Sequence, residues 1–431
     1  MKLSHSWIMA LALAFGFGSL APGQGIDAAL KDRVNTLLER LGSTTKETAD
    51  SAEQALIKLG DRVLPLLPEK GKDEKTNPDR ETRLTRIREA LAKAVEETNL
   101  GASKVTIKGT GIRLSEVIQK LQSQTGNPLT DLREAEGAEA PNPALDLDIV
   151  DKPFLEALDL ICKQAEISPN FYSGDGTIGL MAAPLSKDAK LIYNGPFRIE
   201  LKQVAAVRDF AAGTSSANVQ LEIGWEPRLR PMLLALKAKE LKIVDDTGKE
   251  IEPQVDEEST DVVLRPENPI ADVNLRLKAP ERAAKSLKSM MIKAEVTVPA
   301  GLKTFRFKKI DVKEPVVSKQ DDVSISLEGT EVDEQVWKVN VVLAYPEGGA
   351  AFESYRQGLF NNRLWLQKAD GSKFEHNGGF SNTSSGEGKL GFEYIFVDAP
   401  GSPSEYGLVY ETPSKVLTIP LEFELKDVML P

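Results

Sequence analysis

Apolar residues recur at three- and four-residue steps through the first quarter of the chain. Val34, Leu37, Leu38 and Leu41 share one helical face, as do Ala52, Ala55, Leu56, Leu59 and Val63, and then Leu84, Ile87, Leu91 and Val95. That spacing predicts amphipathic helices over 27–97, punctuated by Gly42, Gly60, Pro65 and Pro68. The charged run from Lys70 to Arg83 reads as a solvated loop between them. From about Leu185 the helical period gives way to alternation: Phe197, Ile199 and Leu201; Val219, Leu221 and Ile223; Val273, Leu275 and Leu277; Val339, Val341 and Leu343. Short alternating runs with frequent turn signals predict antiparallel sheets packed as sandwiches.

Between these regions one pattern runs twice, a short strand followed by a helix and another strand. The first copy is Val105-Thr106-Ile107, then Ile112 to Leu121 around Leu114-Ser115-Glu116, closing at Thr125-Gly126. The second is Leu145 to Ile149, then Phe154-Leu155-Glu156 to Ile161, followed by a Gly174-Asp175-Gly176 hairpin and Thr177 to Met181. Residues 104–184 resemble a secretin and TonB short N-terminal domain, and the order βαβ then βαββ is the one that family implies. The resemblance implies helices at about 112–125 and 153–165 on one small sheet, and protein–protein contacts as the module's work. The acidic stretch Asp131 to Ala144, with Pro141 and Pro143, departs from the family pattern. Ahead of it, Ala52 to Leu67 resembles a HEAT-type helical unit; a helical hairpin or three-helix cap is the alternative, because a solenoid needs about three repeats to bury its faces.

The strand-rich part carries a repeat of its own. Leu241 to Lys249 matches Leu364 to Lys373, a strand, a tight turn and a return strand. Val296-Thr297-Val298-Pro299 followed by Phe305 to Val312 matches Leu417-Thr418-Ile419-Pro420 followed by Phe423 to Val428. The matches keep their order, which predicts two related sandwiches meeting near Glu314-Pro315, with Gly248 and Gly371 at equivalent hairpins. The expected architecture is therefore multidomain α+β: a signal peptide at 1–24, a helical region at 25–100, a small βαββαββ domain at 104–184, and two antiparallel, immunoglobulin-like β-sandwiches at 189–314 and 315–431.

Composition narrows the class. With 431 residues, 41% hydrophobic and 28% charged, the chain has ordinary globular make-up and room for several cores. A formal charge of −11 without a basic stripe argues against nucleic acid, whose phosphates an acidic surface repels. Lys2, the apolar run Trp7 to Leu20 and small residues at Ala21-Pro22-Gly23 read as a secretory signal. This places the protein in the periplasm or outside the cell, without a membrane-spanning segment.

The candidate chemistry is sparse. Cys162 is the single cysteine and falls on the apolar face with Leu155 and Leu158, so it reads as core. His5 leaves with the signal, and His376 is then the one imidazole, which removes most catalytic triads and histidine metal centres. No nucleophile elbow, phosphate loop or zinc-protease helix is present, and no cofactor is expected. Carboxylates cluster at turns, Asp245-Asp246, Asp256 to Glu258, Asp321-Asp322 and Asp333-Glu334, where they are hydrated or cap amides. Adventitious calcium is the ligand those oxygens suit. Trp225, Trp337 and Trp365 read as sandwich core. Tyr345, Tyr355 and Phe360 around the Gly348-Gly349 loop, with His376 in its own glycine-rich loop, are the candidate binding residues. The loops 378–388 and 398–406 are where a sandwich carries recognition.

These readings together predict a non-enzymatic envelope protein that binds a protein partner, as part of a secretion or transport assembly. A glycan-binding surface protein and a carboxylate-based hydrolase are the alternatives. Binding at the α/β edge, binding at the sandwich loops, or a cleft with paired buried carboxylates would tell them apart.

Overall fold

The computed structural model describes residues 28–68, 71, 77–134, 140–254, 259–320, 323–345, 362–386 and 388–431. The signal segment and the turns at 256–258 and 321–322 lie outside these residues. The protein is mixed α+β, about half strand, with few helices and several mainly antiparallel sheets. The chain divides into two compact units, one up to Thr98 and one from Asn99 onward.

In the first unit α1 (Ala28–Leu41), α2 (Lys46–Lys58) and α3 (Pro78–Leu100) follow one another, with a 3-10 turn at Asp61–Leu66. Val34, Leu38, Leu41, Ala52, Leu56, Leu84, Ile87 and Leu91 form one core. Part of the run expected as a loop is helical: Asn77 accepts the Arg80 amide at 3.0 Å and Pro78 opens α3, a proline-led start that suits the missing amide. Glu53 is buried among the helices because Arg83 and Arg86 both donate to it, at 2.7 and 2.9 Å.

The second unit starts with the repeated pattern. β1 (Lys104–Arg113), α4 (Leu114–Thr125), β2 (Leu129–Asp131), β3 (Ala144–Pro153), α5 (Phe154–Ala165), β4 (Ser168–Asn170) and β5 (Ile178–Met181) give the order βαββαββ. β1 pairs antiparallel with β3, and both helices pack on that pair. A second, three-stranded sheet was not foreseen: β5 lies between β2, to which it is parallel, and β4. It supplies Leu129, Ile178 and Leu180 to the same core as Val117, Leu121, Leu158, Ile161 and Cys162. Gly126 ends α4 in the left-handed conformation that lets its amide reach Gln122 at 2.9 Å. The acidic insertion is stapled where it leaves β2, since Arg133 holds Asp131 at 2.6 Å and the Pro141 carbonyl at 2.6 Å.

Strands fill the rest. In chain order they are β6 (Lys190–Asn194), β7 (Phe197–Asp209), β8 (Thr214–Trp225), β9 (Leu233–Leu236), β10 (Lys242–Asp245), β11 (Thr260–Val263), β12 (Ile270–Lys278) and β13 (Ser286–Phe307). There follow β14 (Val316–Gln320), β15 (Val323–Asp333), β16 (Val336–Ala344), β17 (Arg363–Lys368), β18 (Lys373–Glu375), β19 (Phe380–Gly386), β20 (Lys389–Val397) and β21 (Tyr406–Met429). One sheet runs β6-β7-β8-β12 and another β14-β15-β16-β20-β19, so the first four strands of each occupy matching places. The hairpins match too: the Asp245 amide reaches Lys249 and that of Lys368 reaches Ser372, with Gly248 (φ 86°) and Gly371 (φ 89°) at the turns.

The third sheet joins the halves. β13 and β21 pair antiparallel over nearly their whole lengths, from Ser286↔Met429 to Phe307↔Leu408. The first core takes Met290, Ile292 and Val296 from β13 and Leu421, Phe423 and Leu425 from β21, against Leu221, Ile223 and Leu275. The second takes Phe305 and Phe307 from β13 and Leu408 and Tyr410 from β21, against Val341, Leu343, Phe392 and Phe396. Buried positions change from even to odd along β13 because the register shifts between Pro299 and Leu302, and one extra residue inverts strand alternation. The expected boundary at Glu314-Pro315 therefore does not separate the cores: residues 421–428 come back to complete the first.

Trp225, Trp337 and Trp365 are buried, as their place in strands predicts.

Candidate functional site

Among the described residues, the buried carboxylates of this unit are each held by several hydrogen bonds, although one oxygen of Asp159 and one of Asp245 is buried without a partner. Glu226 is fully buried, where it accepts the Ser103 amide (2.8 Å), the Asn127 amide (2.9 Å) and the Arg228 guanidinium (2.6 Å). Arg228 spends its other nitrogens on the carbonyls of Asn99 and Gly101. Asp159 on α5 meets Arg198 of β7 at 2.7 Å and the Tyr193 hydroxyl at 2.6 Å. Asp245 accepts the Thr247 and Lys249 amides, both at 2.9 Å, which lowers its pKa below the usual carboxylate range, the Thr247 hydroxyl at 2.7 Å being the main cause. Such groups anchor structure; a general acid needs burial without compensation.

Among the described residues, which include Asp245-Asp246 and Asp333-Glu334 but not the turns at 256–258 and 321–322, no group of three histidine, cysteine, aspartate or glutamate side chains comes together. Asp245 is buried rather than hydrated, because the hairpin amides draw it in.

Beside the Glu226 node lies a cleft of about 730 Å³, within the size range of ligand sites. Three walls make it. The first is the segment after β8, where Pro227–Leu229 form a 3-10 turn ending at Arg230. The second is built from Gly174 to Gly176 and Pro266-Glu267, pinned by the Gly176 amide on the Glu267 carbonyl at 2.8 Å. A Cβ at Gly176 would meet the Pro266 carbonyl oxygen at 2.8 Å, at a φ of +77°, so only glycine fits this close approach. The third wall is Asn362 to Leu364, Glu375, His376 and Phe380. Asn362 is buried and donates to the Tyr410 hydroxyl at 3.0 Å, fixing the start of β17.

Arg230 lines the same cleft as Arg228 but is held differently. It has φ 49° and ψ 53° immediately before Pro231, a left-handed conformation that costs on the order of 1–3 kcal/mol for a non-glycine residue. It is partly buried, and no hydrogen bond or ion pair engages it among the described residues. Burial, and then the charge of Arg363, work against its cation and lower its pKa, with Glu411 opposing them. Arg363 stands 3.9 Å from Glu375 and over the Trp365 ring at 5.7 Å.

His376 is in this cleft. Its ring packs edge-on against Tyr394 at 5.6 Å and Phe396 at 6.4 Å, and its Nδ1 is buried without a partner. Burial holds its pKa below the ordinary histidine value, although Glu375 and Glu267 pull it upward. Tyr345, the candidate at the start of the Gly348-Gly349 loop, does not line this cleft and is engaged, its hydroxyl 3.1 Å from both Thr412 and the Pro413 carbonyl. Tyr355 and Phe360 lie outside the described residues. The sequence reading passed over Arg228, Arg230 and Arg363; the signal was Pro227-Arg228-Leu229-Arg230-Pro231, two cations held between prolines amid apolar strands.

Compared with known proteins, the chain matches no protein-family profile and no curated protein. Among the described residues no helix is long and apolar enough to cross a membrane.

Proposed function

We propose that this protein is a non-enzymatic, exported binding protein of the cell envelope, and that the cleft after β8 is its recognition site. The observation that carries the reading is the contrast between Glu226–Arg228, a pair committed to its surroundings, and Arg230, a strained arginine beside it that no hydrogen bond or ion pair engages among the described residues. Polar groups whose bonds are complete hold structure; one left open at a cleft is available to a ligand. The resemblance of residues 104–184 to the secretin and TonB short N-terminal domain, and the N-terminal signal, supply the envelope setting and point to a protein partner in a secretion or transport assembly.

The test replaces Phe380, on the cleft wall, with a photo-crosslinking phenylalanine in the full chain, and uses Phe210, 89% exposed at the β7–β8 hairpin tip, as control. Capture of a defined partner from envelope extract at position 380 and not at 210 is the expected result. Equal capture at both positions would remove the cleft from the reading. Turnover of a glycan, ester or peptide substrate, abolished by changing one buried carboxylate to its amide, would replace it with a hydrolase.

A further inference from the structure

The geometry points to a carboxylate-binding site at Arg230 and Arg363, built to hold the acidic side chain or free terminus of a partner polypeptide. This inference rests on reading the cleft as the recognition site, and it names the chemistry recognised there.

Three observations converge. The guanidinium groups of Arg230 and Arg363 line one cleft, and the charge of Arg363 works against the partly buried Arg230 cation, an arrangement that an oxyanion beside Arg230 relieves. Each guanidinium offers a planar fork of donors that matches a carboxylate's two oxygens, and Arg230 has all of its donors uncommitted among the described residues. Arg230 is also held in a left-handed backbone before Pro231, and two residues on, the Met232 amide donates to the Thr297 carbonyl at 2.8 Å, so the chain fixes where this side chain starts. Strain kept by surrounding structure is a mark of placement for a ligand.

The rest of the cleft decides between oxyanions. Its other charges are Arg228, already committed to Glu226, and three carboxylates, Asp175, Glu267 and Glu375, which disfavour the second negative charge of a phosphate. Its remaining lining includes Pro128, Pro227 and Leu364, surfaces that suit the apolar body of a peptide rather than a hydrated sugar. A singly charged carboxylate on a partly apolar chain satisfies both conditions.

The experiment titrates the full chain with sodium acetate, inorganic phosphate and sodium chloride at equal ionic strength, following the Arg230 Nε–Hε resonance, assigned by its absence in Arg230→Gln. A saturable shift with acetate, unmatched by chloride, is expected, together with at least a tenfold tighter response to an acetylated Leu-Leu-Glu peptide than to acetate. Arg363→Gln should weaken acetate binding at least fivefold, and Arg230→Lys, which keeps charge but loses the fork, should give an intermediate affinity. Lys308→Gln, away from this cleft, should leave it unchanged. An acetate response no different from chloride overturns the inference, as does saturation by phosphate alone or equal acetate binding by the wild type and a folded Arg230→Gln. Cross-linking at Phe380 with no acetate response would sink the carboxylate and keep the recognition site; acetate binding without any cross-linked partner would do the reverse.

Discussion

Thr297 and Thr418 face each other across the ladder between β13 and β21. They are equivalent positions of the repeated string, and their neighbours pair in opposite sense, Val296 with Ile419 and Val298 with Leu417. The repeat thus pairs with itself about a local two-fold axis, the self-complementary relation that two identical subunits show at an isologous interface. Each long strand passes through the axis and leaves its far end in the other half's core.

Removing residues 414–431 should therefore unfold the first half while sparing more of the second. The deletion takes Leu421, Phe423, Leu425 and Val428 out of the first core, at about 1.5–3 kcal/mol for each buried side chain. That sum is comparable with the whole stability of a domain, about 5–15 kcal/mol. Hydrogen exchange should show β8, β12 and the start of β13 losing protection first; unchanged protection there would contradict the shared core.

Arg198→Met should destabilise the second unit by about 3–5 kcal/mol, because it leaves Asp159, 5% exposed, without its cation. The double variant Asp159→Asn with Arg198→Met should cost less than Arg198→Met alone. Urea denaturation of the three proteins checks the order, and equal losses would mean that the pair carries no coupling.

Stability should fall with pH below the ordinary histidine range. His376 has its pKa depressed from 6.5 in the folded state, so the unfolded chain takes up the proton first as pH drops. Its contribution is intact above 6.5 and is lost as the pH falls through the folded value. His376→Gln should flatten this slope between about pH 7.5 and pH 5 in urea midpoints. A slope unaltered by the substitution would assign it to carboxylates instead.

Cys162 should resist iodoacetamide in the native protein and react in urea. It is fully buried on α5, and burial pushes its thiol pKa far up, so the attacking thiolate is not populated. Native-state labelling within minutes would show that α5 opens.

The elements were legible where one residue type does one job. The alternation at Val219, Leu221 and Ile223 and the helical faces of Leu121 and Leu158 specify burial by period alone, and Gly248 and Gly371 announce their turns through positive φ. The strand exchange was not legible, because Leu421 and Phe423 alternate in the same way whichever core they enter. The cleft was half legible. His376 drew notice as a scarce residue type, whereas Arg230 is one of many cations, and its distinction lies in its neighbours: a fully bonded Arg228, a proline that leaves its backbone strained, and a second arginine arriving from β17.

The α/β segment has little freedom to swing. Asp159 grips Arg198 of β7, and Glu226, at the end of β8, grips Ser103 and Asn127; these two fastenings lie on neighbouring strands of one sheet. Units joined by one flexible tether swivel by default; here two separate buried clasps, together with Ile270 of β12 packed into the α/β core, oppose that swivel. A tug on β3 or α5 would accordingly be felt in β7 and β8 as load on a stiff frame, and Arg230, five residues past the last position of β8, is mounted at the end of that frame.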